Sequence, residues 1–190
     1  MEAISLDGGF ADAPIDAAHA FRAVLNAMAR PGVVETIGGA QPPAPLSPAA
    51  GSVLLTLCDP EAPVHLAGAS DTPAVRDWLA FHTGAPVSTP ETAMFALGRW
   101  EDLLPLDRFA IGTPEYPDRS ATLIVEVPGF DTGQPARLTG PGIADAVDFT
   151  LPAIEMFQRN SVLFPLGLDF IFAAGNQVAA LPRTSKVEAL

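Results

Sequence analysis

Cysteine and lysine are almost missing from this 190-residue chain, which has one of each, Cys58 and Lys186. A single cysteine excludes an intrachain disulfide and any zinc site built on several thiolates. It leaves Cys58 as a small buried hydrophobe or a reactive thiol, and it suits a reducing cytoplasm. A single lysine near the C-terminus leaves one poor candidate for amine chemistry. Positive charge is scarce too, with 10 Lys and Arg against 22 Asp and Glu and a formal charge of -12. A chain so acidic repels phosphate backbones and anionic lipid, which argues against nucleic-acid and membrane partners. No apolar run approaches the roughly 18 residues of a membrane span, and Glu2, Asp7 and Asp12 replace the basic start of a secretory signal.

Apolar residues, proline and glycine are plentiful. With 48% hydrophobic and 17% charged residues, the chain is too apolar for disorder, so its 20 Pro and 16 Gly must punctuate ordered elements. The expectation is one domain over residues 1–190, with 1–14 a loosely ordered N-terminal segment.

Helical spacing runs from Asp16, read as an N-cap, to Arg30, and stops at Pro31-Gly32. Val33 to Ile37 reads as a short strand. Ser47-Pro48 and Thr72-Pro73 each pair a capping side chain with a first-turn proline, opening helices through Leu57 and to Gly84. Strands are expected at Pro63–Ala67, Ala93–Leu97 and Ala121–Val127, the last alternating, with Pro135–Thr139 as its neighbour. A helical turn is expected over Trp100–Leu104, and Pro152 opens a helix ending near Pro165. Two apolar runs flanking Gly175-Asn176 predict an antiparallel hairpin. The fold class is therefore α/β, three-layered, with a mixed sheet covered by helices on both faces.

Phosphate-loop, dinucleotide, serine-hydrolase and zinc-protease motifs are absent. His19, His65 and His82 lack metal-ligand spacing, although His82 ends a helix, where the dipole favours a cation. Arg30, Arg137 and Arg183 stand beside Pro- or Gly-rich turns, where forked donors and free backbone N–H groups suit phosphate or carboxylate. The simpler alternative is that each arginine pairs with one of the many acids. The pairs Glu101-Asp102, Asp145 with Asp148 and Glu115 with Asp118 read as solvated faces. The apolar run containing Phe164, Pro165, Leu166 and Leu168 is either core or a partner surface.

Seven tags occur in order over about residues 15–188. They are Phe21-Arg22 with Leu25, Ala27-Met28 and Pro31-Gly32; Ser52-Val53-Leu54-Leu55-Thr56-Leu57 with Asp59 and Pro63-Val64; Phe81-His82-Thr83 with Ala85-Pro86; Ala121-Thr122-Leu123-Ile124; Leu138-Thr139-Gly140-Pro141-Gly142-Ile143; Phe164-Pro165-Leu166-Gly167 with Asp169; and Pro182-Arg183-Thr184 with Val187-Glu188. Together they resemble PhnH, the H-subunit family of the carbon-phosphorus lyase system.

The resemblance implies a cytoplasmic protein of phosphonate catabolism that assembles with G, I and J subunits and forms a homodimer when isolated. It implies support of a synthase that displaces adenine from ATP with methylphosphonate, giving alpha-D-ribose 1-methylphosphonate 5-triphosphate. The family's fold is similar to the large domain of transferases that use pyridoxal phosphate (PLP), without that cofactor. Lys186 lies in the last tag rather than in a cofactor loop, so PLP is not expected. Two roles follow: a scaffold without its own activity, or a catalytic subunit in which His82, Arg137 and Arg183 converge on an anion pocket.

Overall fold

A computed structural model describes residues 7–190, so the first six residues of the expected loose segment 1–14 lie outside the described residues. Within the rest of that segment, the Gly8 carbonyl accepts a hydrogen bond from Gln41 N at 2.8 Å, and Phe10 packs on the core. Helix α1 spans Ala13–Ala29 with Asp12 at its N-cap position, four residues earlier than the cap the sequence suggests. The reason is Pro14, whose fixed φ and missing N–H suit a first turn. Asp16 is thus not the N-cap; its carboxylate reaches back to accept from Asp12 N at 3.0 Å. The buried face of α1 is Ala20, Ala23, Val24 and Ala27, while Phe21 and Leu25 face solvent.

Helix α2 (Pro48–Leu57) starts where its cap predicts, the Ser47 hydroxyl accepting from Ala50 N at 3.1 Å. Its dense aliphatics put Val53 and Leu54 fully inside. Helix α3 (Pro73–Thr83) is capped by Thr72, which accepts from Val75 N at 3.2 Å, and ends at Gly84 in the left-handed region. Helices α4 (Trp100–Leu103) and α5 (Ile154–Val162) follow.

The main sheet has six strands: β1 (Glu35–Thr36), β2 (Val64–Leu66), β3 (Phe95–Arg99), β4 (Thr122–Glu126), β7 (Asp169–Ala174) and β8 (Gln177–Leu181). Their order is β1-β8-β7-β4-β3-β2. Strands β2, β3, β4 and β7 run parallel, and β8 pairs antiparallel with β7 and β1. The expected hairpin is β7–β8, and Gly175 takes the positive φ of 57° that such a tight connection requires.

The expected pairing of Pro135–Thr139 with Ala121–Val127 does not occur. Strand β4 has β3 on one side and β7 on the other, so no edge is free. Both of its faces are covered, and Leu123, Ile124 and Val125 are all fully buried, so neither face of its centre meets solvent. Strand β5 (Gln134–Thr139) instead joins β6 (Val147–Leu151) and β9 (Lys186–Ala189) in a separate antiparallel sheet of order β6-β5-β9.

Three layers result. Helices α1, α2 and α3 pack through Val24, Leu54, Trp78 and Leu79 on Ile124, Ile171 and Val178 of the main sheet. On the other face, Leu123, Phe170 and Phe172 meet Leu103 of α4, Phe157 of α5 and Leu138, Phe149 and Val187 of the small sheet. An aromatic group fills this second layer: Phe157 is 4.9 Å, centroid to centroid, from both Trp100 and Phe170.

One buried amide fixes the entry to β7. The Asn160 side chain donates to the Leu168 carbonyl at 2.9 Å and accepts from Leu168 N at 2.8 Å. Replacing Asn160 with Ala strands both backbone groups away from water, and urea unfolding should show a loss of about 2–4 kcal/mol.

Candidate functional site

Arg183 is the most highly bonded side chain among the expected site residues. It follows β8, and its backbone N donates to Asp169 Oδ1 at 2.8 Å, while its guanidinium forks onto both oxygens of the same carboxylate. The guanidinium also donates to the Pro117 carbonyl at 2.8 Å, to the Ser120 hydroxyl and, at 3.5 Å, to the Pro165 carbonyl. Both charged partners are largely sheltered from solvent, with side chains 12% and 17% exposed. A guanidinium so committed works as a structural clamp, with its donors already aimed at protein acceptors.

Arg137 sits elsewhere, on β5, and forks onto Asp148 of β6 at 2.9 and 3.3 Å on an exposed face. Asp148 and Glu188 holds its guanidinium pKa above the ordinary value, the Asp148 hydrogen bond leading. His82, at the end of α3, packs against the rings of Trp78 and Phe81 and lies over Gly9. These three residues share no cavity: a cleft of about 520 Å³ beside Phe164 and Pro165 is lined by Arg183 but by neither Arg137 nor His82. Arg30 likewise pairs with Glu35, at 2.8 Å.

The apolar run divides. Leu168 is buried in the core, Leu166 is half-buried, and Phe164 and Pro165 are exposed. Val162, at 83% exposure, and Leu163 extend the exposed part beyond the residues expected from sequence. Cys58 is buried, and desolvation together with neighbouring Asp59 pushes its thiol up to about 12, which makes it inert at neutral pH. His65 Nδ1 lies 3.1 Å from the Ser88 carbonyl. Among the described residues, no group of three His, Cys, Asp or Glu is placed to hold a metal ion.

A further cleft is not marked by any sequence motif. It measures about 650 Å³ and opens at the carboxyl ends of β3 and β4, lined by Ser70, Arg99, Trp100, Glu101, Glu126 and Phe130 among others. Arg99 and Glu126 are the last residues of neighbouring strands and direct register partners. Glu126 turns to the N-terminus of α2, where its Oε1 accepts from Ser47 N at 2.7 Å. The Arg99 side chain has no hydrogen bond or ion pair among the described residues. The sequence signal is an arginine at a strand end followed by Trp100 and Glu101, but only the parallel register shows that Glu126 stands beside it.

Two outcomes follow from these geometries. Arg183→Ala leaves Asp169 without its counter-charge and should cost about 3 kcal/mol in urea unfolding, whereas Arg137→Ala should leave the midpoint close to wild type. Burial raises the Glu126 carboxyl pKa above its ordinary 4.5, opposed by the Ser47 hydrogen bonds and by Arg99. A raised acid contributes stability below its unfolded pKa and loses it as pH rises through the folded value. The Tm of Glu126→Gln relative to wild type should therefore climb as pH rises above the ordinary carboxyl range, and a flat difference would contradict this.

Comparison with known proteins supplies the family. The chain matches the family described as bacterial phosphonate metabolism protein (PhnH) over residues 8–188. It is 42% identical over 189 residues to the alpha-D-ribose 1-methylphosphonate 5-triphosphate synthase subunit PhnH of Rhizobium meliloti (strain 1021), covering 95% of this chain and 94% of that protein. It is 32% identical over 199 residues to HtxG of Stutzerimonas stutzeri, named as a candidate C-P lyase subunit protein, with 94% of each chain covered. The seven tags, the agreement over nearly the full length and the family match lead to one conclusion: this chain belongs to the PhnH family of bacterial phosphonate metabolism proteins.

Proposed function

We propose that this protein is a scaffold subunit of the assembly that makes alpha-D-ribose 1-methylphosphonate 5-triphosphate from ATP and methylphosphonate, and that it has no turnover alone. The observation that carries this reading is the state of its arginines. The two expected to grip an anion, Arg137 and Arg183, are already forked onto Asp148 and Asp169. A chain of charge -12 with those two guanidinium groups occupied is a poor lone host for a triphosphate. The 42% identical relative is named as a synthase subunit, which fits a part that works within a larger whole.

The exposed run Val162, Leu163 and Phe164 is the surface we assign to assembly, first with a second copy and then with the G, I and J subunits. The compartment is the cytoplasm, in keeping with the buried, unpaired Cys58. No helix among the described residues is long and apolar enough to cross a membrane. The fold reading extends to the large domain of PLP-dependent transferases with the cofactor lost. In its support, the sheet is mixed and flanked by helices, and the one lysine lies exposed on the short strand β9.

The test is direct. The purified chain, given ATP and methylphosphonate, should release no adenine, and measurable release would overturn the scaffold reading. Sedimentation equilibrium should show a dimer that the Val162→Asp, Phe164→Asp double variant converts to monomer with Tm unchanged. A wild-type monomer at high micromolar concentration would remove the homodimer.

A further inference from the structure

The topology makes the 650 Å³ cleft, and its size falls within the roughly 300–1,000 Å³ of small-molecule sites. The chain leaves β2 for α3, which packs in the α1–α3 layer, but leaves β3 for α4, which packs on the opposite face. That parting sets Ala69 and Ser70, after β2, across from Trp100 and Glu101, after β3, beyond the carboxyl ends of the strands, where ligands of α/β sheets usually bind. Neither the anion pocket expected from sequence nor the assembly surface uses it.

Its charges are specific in kind. Arg99 and Glu126 stand side by side in register, so a mutual ion pair would be the simplest outcome, yet none forms. Glu126 is drawn to Ser47 and the start of α2, which leaves a guanidinium with five donors exposed at the cleft wall. Such a group asks for a compact anion. Glu101 and Glu126 supply two carboxyl groups on the same lining, and Trp100, Phe130 and Phe172 supply aromatic surface. Trp100 is braced by its stack on Phe157, at 4.9 Å and 30°. Acids beside aromatic rings recognise an ammonium. Two acids against one arginine oppose a polyanion, so a nucleoside triphosphate does not suit this lining.

We propose that the cleft at the carboxyl ends of β3 and β4 binds a small zwitterion, its anionic head on Arg99 and its ammonium on Glu101 and Glu126 beside Trp100 and Phe130. An aminoalkylphosphonate and an ω-amino carboxylate share this chemistry. Preference for the phosphonate rests on the family's metabolism, whereas the two-charge requirement rests on the cleft alone.

Calorimetric titration of the purified full-length chain separates these points, with aminoethylphosphonate, β-alanine, methylphosphonate and ethylamine as probes. The two zwitterions should bind saturably, and each single-charge probe at least about tenfold more weakly. Tighter binding of aminoethylphosphonate assigns the head as phosphonate, and tighter binding of β-alanine assigns it as carboxylate; either supports the site. Arg99→Gln and Glu101→Gln should each weaken zwitterion binding at least about tenfold with Tm unchanged, because neither side chain holds the fold together. Methylphosphonate binding as tightly as aminoethylphosphonate, no saturation by either zwitterion up to about 10 mM, or an Arg99→Gln variant that binds like wild type would overturn the proposal. Adenine release is a separate measurement, so failure of the scaffold reading and failure of this site are distinguishable.

Discussion

One guanidinium joins three stretches of chain that are separate in sequence. Arg183 takes hold of Asp169 at the start of β7, Pro117 and Ser120 just ahead of β4, and Pro165 in the apolar run, while standing itself just beyond β8. Without it, the β7–β8 hairpin would still pair, but its open end would carry a sheltered carboxylate with no counter-charge. The loops on that side would also lose their shared anchor. The clamp and the Asn160 bonds to Leu168 lie either side of the same turn, so the exposed residues 162–165 are presented from a firmly held base. A sticky surface on a rigid mount suits assembly, because ordering costs little at the moment of contact.

The way positive charge is distributed explains much of the rest. Five arginines are spent on carboxylates, including the exposed pairs Arg76 with Asp71 and Arg159 with Glu155. Such exposed pairs contribute little to stability, but each removes a group that could hold a phosphate. Arg99 escapes because its register partner Glu126 is held by a helix start. The cleft is thus defined by a competition in which Ser47 wins Glu126 from an arginine one strand away.

Features set by neighbours in sequence were readable from the sequence, and those set by neighbours in space were not. Ser47 and Thr72 announced α2 and α3, because a capping hydroxyl followed by proline is a local signal. Gly175-Asn176 announced the hairpin for the same reason. Strand β5 was found but given the wrong partner, since nothing in Gln134–Thr139 records that β4 is already enclosed. Strands β6 and β9 went unseen: Lys186–Ala189 buries only Val187, too faint an alternation to register. Arg183 and Arg137 stand out in the sequence beside turn residues, yet only geometry reveals Asp169 and Asp148 as their partners. The Arg99–Glu126 juxtaposition needs the parallel register and lies beyond any reading of residue types alone.

The order β1-β8-β7-β4-β3-β2 also governs how the chain can come into being. Strand β1 is made early but pairs only with β8, and β5 gains its second neighbour only when the final residues of β9 appear. The main sheet is therefore incomplete until Gln177–Leu181 has been made. Until then the nascent protein carries unpaired strand edges and bare apolar faces, and contacts so distant along the chain are slow to form. Truncation of even the last few residues would then remove a strand from a finished sheet rather than trim a tail, and such a chain would be a client for chaperones before it could be a partner for anything else.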